Sequence, residues 1–367
     1  LSNIKSIKFK DNAKINLAEC TNIPADIDIS KCSSVDLSGN NLSYINLKFA
    51  DNSDVNLSNC SDLPQNLEIS QCKNVVLSGC DLSNIKSIKF KDNAKINLAK
   101  CTNIPQNLDI SNCSEINLSK CNLSHINDLK LKDGAQINLE KSKLPQHIDF
   151  SKCQILNLHS CDLLQTKEIK FRQGACINIQ GTELPDGVDV SNCKEVWLTP
   201  KGIEQVTIGE AFIVVGGIGS FDKIDFSELK NFAVPSMINH EILGNSYTSL
   251  LGTKEFVFKD DAQYQKFLKN TSNISVPNGC KVSFTKENAV KIMKQDQQNA
   301  QATLKRKQER MKYNSSERTK LKTIMKKKPI QNNQISSHQF SIEHIEPNSS
   351  TMVIKPVILQ KIKRQNG

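Results

Sequence analysis

Aromatic residues are scarce. They make up 5% of the 367 residues, as 14 Phe, 4 Tyr and 1 Trp. So small a share argues against an enzyme core of ordinary composition. Long hydrophobic runs are missing as well: the longest, near residues 211–218, is too short to cross a bilayer. The first residue is Leu1, and nothing after it reads as a signal peptide. Cysteine is plentiful at 13 residues, but no two stand two to four positions apart, which removes the usual zinc-ligand spacing. The glycines of residues 214–220 lack the spacing of a dinucleotide loop and read as a tight bend. Charge is one-sided only at the end. Residues 286–367 hold 18 basic and 6 acidic side chains, against 30 and 32 in the rest, and the net charge is +10.

What the chain does have is a repeat. Ten units follow one template: apolar-x-apolar, two residues, then Asn, Cys or Gly, two residues, apolar-x-apolar. They start at residues 7, 27, 47, 67, 88, 108, 129, 148, 169 and 188, which is 19 to 21 residues apart. Two kinds alternate, IKFKDNAKINL at 7–17 against LDISNCSEINL at 108–118, so a longer period of 40 to 41 runs through them. Alternating apolar residues mark strands with one buried face. Strands of three residues hold no sheet alone, but stacked in parallel register each coil covers the edge of the next. The expected fold is therefore all-β, a right-handed parallel β-solenoid of about ten 20-residue coils with two short strands each.

The columns of such a stack agree with it. The residue inside the first apolar pair runs Lys8, Asp28, Lys48, Glu68, Lys89, Asp109, Lys130, Asp149, Lys170, Asp189. Opposite charges on adjacent strands stabilise by about 0.2–1 kcal/mol, so in-register stacking rewards this alternation. A second outward column runs Asn16, Asp36, Asn56, Val76, Asn97, Asn117, Asn138, Asn157, Asn178, Trp197. A structural amide ladder and a ligand-facing polar strip both fit it. As a strip, its candidate binding residues are Asn97, Asn117, Asn138, Asn157, Asn178 and Trp197. Cysteines occupy two turn columns, where they exchange with Asn, Ser and Gly. That exchange and the odd total favour a cysteine ladder of buried free thiols over disulfides such as Cys60–Cys80. Free thiols imply a reducing compartment. Pro24, Pro64, Pro105, Pro145 and Pro185 each stand three residues before a strand, at a corner.

Segments such as LEISQC and LNLHSC resemble the strand-and-turn core of leucine-rich repeats. The 20-residue coil with small turn residues is similar to pentapeptide-type and other right-handed β-solenoids. The resemblance covers about residues 1–200 and is specific to solenoid architecture; a leucine-rich-repeat solenoid is the alternative fold. It implies a binding scaffold of the kind found in bacterial surface or effector proteins.

The expected organisation is a regular solenoid over 1–198, degenerate coils or a cap over 199–284, an exposed basic helix over 285–328 and a mostly disordered tail over 329–367. EFVFKDDAQ (255–263) and VPNGCKVSF (276–284) echo the repeat, and MVIKPVIL (352–359) is a candidate docking strand. Leu1 aligns with Leu42, Leu82, Leu123 and Leu163, so the chain is expected to begin in mid-repeat, without its mature N-terminus.

The expected function is a non-enzymatic scaffold, without cofactor or metal, that binds a protein or a glycan. The alternative places binding in the tail, where Lys305, Arg306, Lys307, Arg310, Lys326, Lys327 and Lys328 would meet nucleic acid, an anionic membrane surface or an acidic partner. A polysaccharide-cleaving β-helix enzyme ranks lower. It needs two carboxylates a set distance apart, whereas the outward acids face lysines and His125, His147 and His159 share no column. The thiols point to a cytoplasmic location, or to delivery into a host cytosol.

Overall fold

One short strand per coil carries the architecture. In the computed structural model, which describes residues 6–285 except 21, 128, 167, 168, 251, 272–275 and 278, together with 302, 303 and 305–309, twelve such strands stack in chain order into a single sheet, from Lys14–Asn16 to Asn231–Ala233. Every neighbouring pair is parallel, and middle residues align: Ile15 on Val35, Val35 on Val55, and so on to Ile213 on Phe232. From Val35 onward these side chains are buried in one continuous core. The fold is a parallel β-solenoid of about eleven turns, and its sheet runs two rungs past the ten units of the template. The chain divides into two compact units, Leu1–Gln297 and Gln298–Gly367.

The first segment of each coil pairs more sparsely. Ser6–Lys8 joins Asp26–Asp28 and Val188–Asp189 joins Val206–Thr207, while Lys48/Glu68 and Leu129/Ile148 meet as single bridges. Lys8 thus lies beside Asp28 and Lys48 beside Glu68, as the charge column requires. A third, shorter side was not visible in the template. There Asn41 bridges Asp62, Asp81 bridges Thr102, Asn122 bridges Lys143 and Asp162 bridges Glu183. These bridges clasp the coils two by two, which puts the 40-residue period into the backbone.

The corners share one rule. An Asn or Asp at the end of a side accepts the backbone N–H two residues on, a turn that its short side chain can close on its own. On the first side Asp28, Asp109, Asp149, Asp189 and Asp225 do this for Ser30, Ser111, Ser151, Ser191 and Ser227. On the long sheet Asn16, Asp36, Asn56, Asn97, Asn117, Asn138, Asn157 and Asn178 do the same. On the third side Asn41, Asp81, Asn122 and Asp162 follow. One bend needs a left-handed backbone in every coil from Glu19 to Gly181, and Gly39 and Gly79 serve it without strain.

The cysteines have a polar task beyond filling space. Sγ of Cys80, Cys101, Cys121 and Cys161 each lies 3.0–3.1 Å from a carbonyl of the preceding coil, that of Leu57, Leu77, Leu98 and Leu139. Where the column changes residue, the donor survives: Asn40 reaches Leu17 O at 2.9 Å, Ser142 reaches Leu118 O at 2.7 Å and Thr182 reaches Leu158 O at 2.6 Å. The exchange of Cys with Asn, Ser and Thr is an exchange of donors to one carbonyl column. All 13 thiols are free.

The last coils depart from the template. Ile224–Asp225, Glu255–Phe258 and Lys281–Phe284 form a separate parallel sheet, with Phe256 aligned on Ile224 and on Val282. Both echoes, EFVF and KVSF, are therefore strands. Cys280 N donates to Pro277 O at 3.0 Å, as Leu108 N does to Pro105 O at 3.1 Å. After Phe258 the echo stops. KDDAQ opens the helix Asp261–Asn270 instead of a turn, because the Asp260 carboxylate accepts from Gln263 N at 3.0 Å and caps it. The Gln263 amide then donates to Phe226 O and Leu229 O. Phe267 buries itself among Phe226, Phe232, Phe256 and Phe258, with ring centroids 5.2–6.5 Å apart. The scarce aromatics are gathered here, where the core would otherwise end open. The helix also packs on Asn231–Ala233 and covers the edge strand of the long sheet.

In the second unit Ala302, Thr303 and residues 305–309 are helical, and Lys305, Arg306 and Lys307 are exposed. Arg310, Lys326, Lys327, Lys328 and residues 329–367 lie outside the described residues.

Candidate functional site

Each strand of the long sheet turns outward the two residues that flank its inward-facing, aligned middle residue. Through the rung ending at Asn138 this face is polar except at Val76, with Lys14, Asp54, Lys95, Glu115 and Gln136 beside the Asn column. Beyond it the face turns apolar, at Ile155, Cys176, Trp197 and Val214. The cause is a hairpin formed by Met237–His240 and Gly244–Ser249, which lies over this stretch. Leu243 of its turn packs on Trp197 and Val214 and makes a small second core outside the solenoid. The Trp197 ring meets His240 edge-on at 6.5 Å, and its indole N–H donates to Glu195 at 2.7 Å. Asn178 Nδ2 donates to Leu243 O at 2.7 Å. Gly216, in the stretch read as a tight bend, sits where the hairpin crosses. A Cβ there would collide with the side chains of Gln180 and Ser246.

A groove of about 320 Å3 opens where the hairpin ends. Glu241 and Ile242 of the turn form one wall, and Lys95, Asn97, Glu115, Asn117 and Asn138 form the floor. The floor amides are fixed by their corner duty. Oδ1 of Asn97, Asn117 and Asn138 each accepts a backbone N–H at 3.0 Å, and among the described residues their Nδ2 groups have no protein partner. Beside them Lys95 Nζ lies 2.6 Å from Glu115. The hydrogen bond and charge of Glu115, with a smaller contribution from Glu241, hold the Lys95 ammonium above its usual range. Asn74, at the groove's other end, donates to Asp54 at 2.6 Å and leaves a buried Oδ1 without a partner. The site thus presents three spare amide donors on adjacent rungs, flanked by an ion pair and an acidic loop.

Of the residues expected on a binding strip, Asn97, Asn117 and Asn138 come together in the groove. Asn157, Asn178 and Trp197 do not join them. They are 1%, 1% and 0% exposed beneath the hairpin, where they hold structure. The amide ladder is partial: Asn157 Nδ2 donates to Asn138 Oδ1 at 3.0 Å, and the other carbonyls serve their own corners. Glu241 and Ile242 were not legible as site residues. The signal for them was indirect: a polar outward face that turns apolar at Ile155, Cys176 and Trp197 has something on top. Among the described residues no group of three His, Cys, Asp or Glu could hold a metal ion, and no helix is long and apolar enough to cross a membrane. Comparison with protein-family models, with curated proteins and with solved structures finds no match to this chain, so the role of this face is argued from its own chemistry.

Proposed function

We propose that this protein is a non-enzymatic repeat scaffold that binds an extended, polar protein segment or glycan along the outer face of its long sheet. The observation that carries this is the pair of unpartnered amide donors of Asn97 and Asn117, side by side under the Glu241–Ile242 wall. Donors repeated at the strand spacing of about 4.8 Å suit a ligand with acceptors along its length. The test compares wild type with the Asn97→Asp/Asn117→Asp variant on arrays of glycans and extended peptides. Aspartate keeps the corner turn and replaces the donor with an acceptor. Binding should be lost with the unfolding midpoint retained; unchanged binding would move the site off this face. No turnover of uronate or other glycan polymers is expected, and measurable cleavage would overturn the scaffold reading.

The buried free thiols support work where cysteines stay reduced, in a cytosol of its own or of a host. Exposed Lys305, Arg306 and Lys307 on one helical stretch support a second contact, with an acidic partner, nucleic acid or an anionic membrane surface. A chain ending at Phe284 should then lose salt-sensitive binding; equal binding by both chains would remove the tail from the function.

A further inference from the structure

The wall of the groove is held by a histidine where the corners of the coils use asparagine or aspartate. His240 Nδ1 lies 3.2 Å from Ile242 N and 3.2 Å from Leu243 N. It accepts the backbone two and three residues on, the same duty that Asn97, Asn117 and their column perform at the corners. An asparagine would close this turn as well, but an asparagine does not titrate. His240 does this only with Nδ1 unprotonated, because both neighbours are donors. A proton on Nδ1 removes the acceptor and sets a third donor against the two N–H groups.

From this we infer that the turn of residues 241–243 is a proton-released strap over the outer face, with His240 as its latch. With Nδ1 free, the turn keeps Leu243 on Trp197 and Glu241 and Ile242 beside the groove. With Nδ1 protonated, the turn loses both bonds, and Leu243 leaves the small core that it forms with Trp197 and Val214. Glu195 is bonded to the Trp197 indole that His240 touches, and Glu241 is the next residue in the turn. Lys95 and Glu115 form an ion pair on the floor, and Cys176 lies in the small core as a thiol pushed up by burial. The inference rests on the groove reading for its consequence, regulated access, but not for its test.

Trp197 is the chain's single tryptophan and reports on the strap directly. The experiment follows acrylamide quenching and emission wavelength of the full chain from about pH 8 to about pH 5, the range in which imidazoles take up protons. Circular dichroism tracks the solenoid in parallel. Wild type should pass reversibly from a shielded, blue emission to a red-shifted one quenched several-fold more strongly, with its β signal unchanged. His240→Asn should stay shielded throughout, and His240→Ala should be accessible already at pH 8. An unchanged accessibility in wild type would overturn the inference, as would the same transition in His240→Asn. Quenching accessibility is the deciding readout, because a protonated ring in contact with the indole dims it without any opening. Loss of glycan or peptide binding at every pH, with the transition intact, would count against the groove and leave the latch standing.

Discussion

An aspartate two residues ahead of a serine closes a corner, and this local duty outweighs its pairing with lysine. The Ser30, Ser111 and Ser191 hydroxyls, followed by their amides, hold Asp28, Asp109 and Asp189 below the usual carboxylate range; where nearby lysines contribute, at Asp28 and Asp109, they rank after the serines. Asp109→Ala should therefore cost about 1 kcal/mol in urea unfolding, and Asp109→Asn much less. Equal losses would mean that charge alternation matters more than the turn. The same carboxylates set an acid limit. Because their folded pKa is lowered, the stability they contribute is complete above about pH 4 and is lost as pH falls through the lowered values. Thermal unfolding followed by circular dichroism should fall off there. The thiols set the alkaline limit. Burial pushes Cys101, Cys113, Cys153 and Cys193 up to about 12, and Cys121 and Cys161 up to about 11. The folded chain keeps these protons longer than the unfolded chain, so their contribution is complete below about pH 8.5 and is lost as pH rises toward 11 to 12. A melting temperature that held steady from pH 8 to 11 would contradict the burial of these thiols.

Among the elements, the cap and the hairpin differ in what they hold. The cap closes the main core: Phe267 is 1% exposed and touches four other buried phenylalanines. Phe267→Ala should cost about 3–5 kcal/mol, read as a shift of the urea midpoint of the β signal. The hairpin closes only the small outer core, with its crossing at Gly216. Gly216→Val should leave the main midpoint nearly in place and make Trp197 accessible to acrylamide at neutral pH. The last strands were legible in the sequence and the hairpin was not. EFVF and KVSF betrayed the last strands by matching the template, and IDFS at 224–227, an exact copy of 148–151, marks one more coil. The helix was hidden because KDDAQ copies KDNAK up to the point where Asp260 finds Gln263 instead of a turn.

For the whole molecule, burial of the thiols makes a chemical prediction. Cys20, Cys176 and Cys280 are partly exposed and the remaining ten are buried. Alkylation of the native full chain near pH 8 should mark these three first, with the rest reacting only in denaturant. Early labelling of Cys101 or Cys121 would mean that the coils open far more readily than their bonding indicates. The continuous core of the solenoid is built coil by coil, because each coil is covered by its two neighbours. That is why 5% aromatics suffice along its length, and why the rings are spent at its end.

The twenty-residue period, the parallel register, the inward columns and the sign alternation followed from the sequence alone, since each depends only on which residues recur one coil apart. Lys48 beside Glu68 is the direct consequence. The third side, the carbonyl partners of the cysteines and the cover over Asn157, Asn178 and Trp197 were decided by the tertiary structure. The first two recur one coil apart but rest on single bridges and thiol contacts that leave no apolar alternation to read, and the cover rests on segments with no shared period, above all Leu243 against Trp197, which only a closed chain brings together.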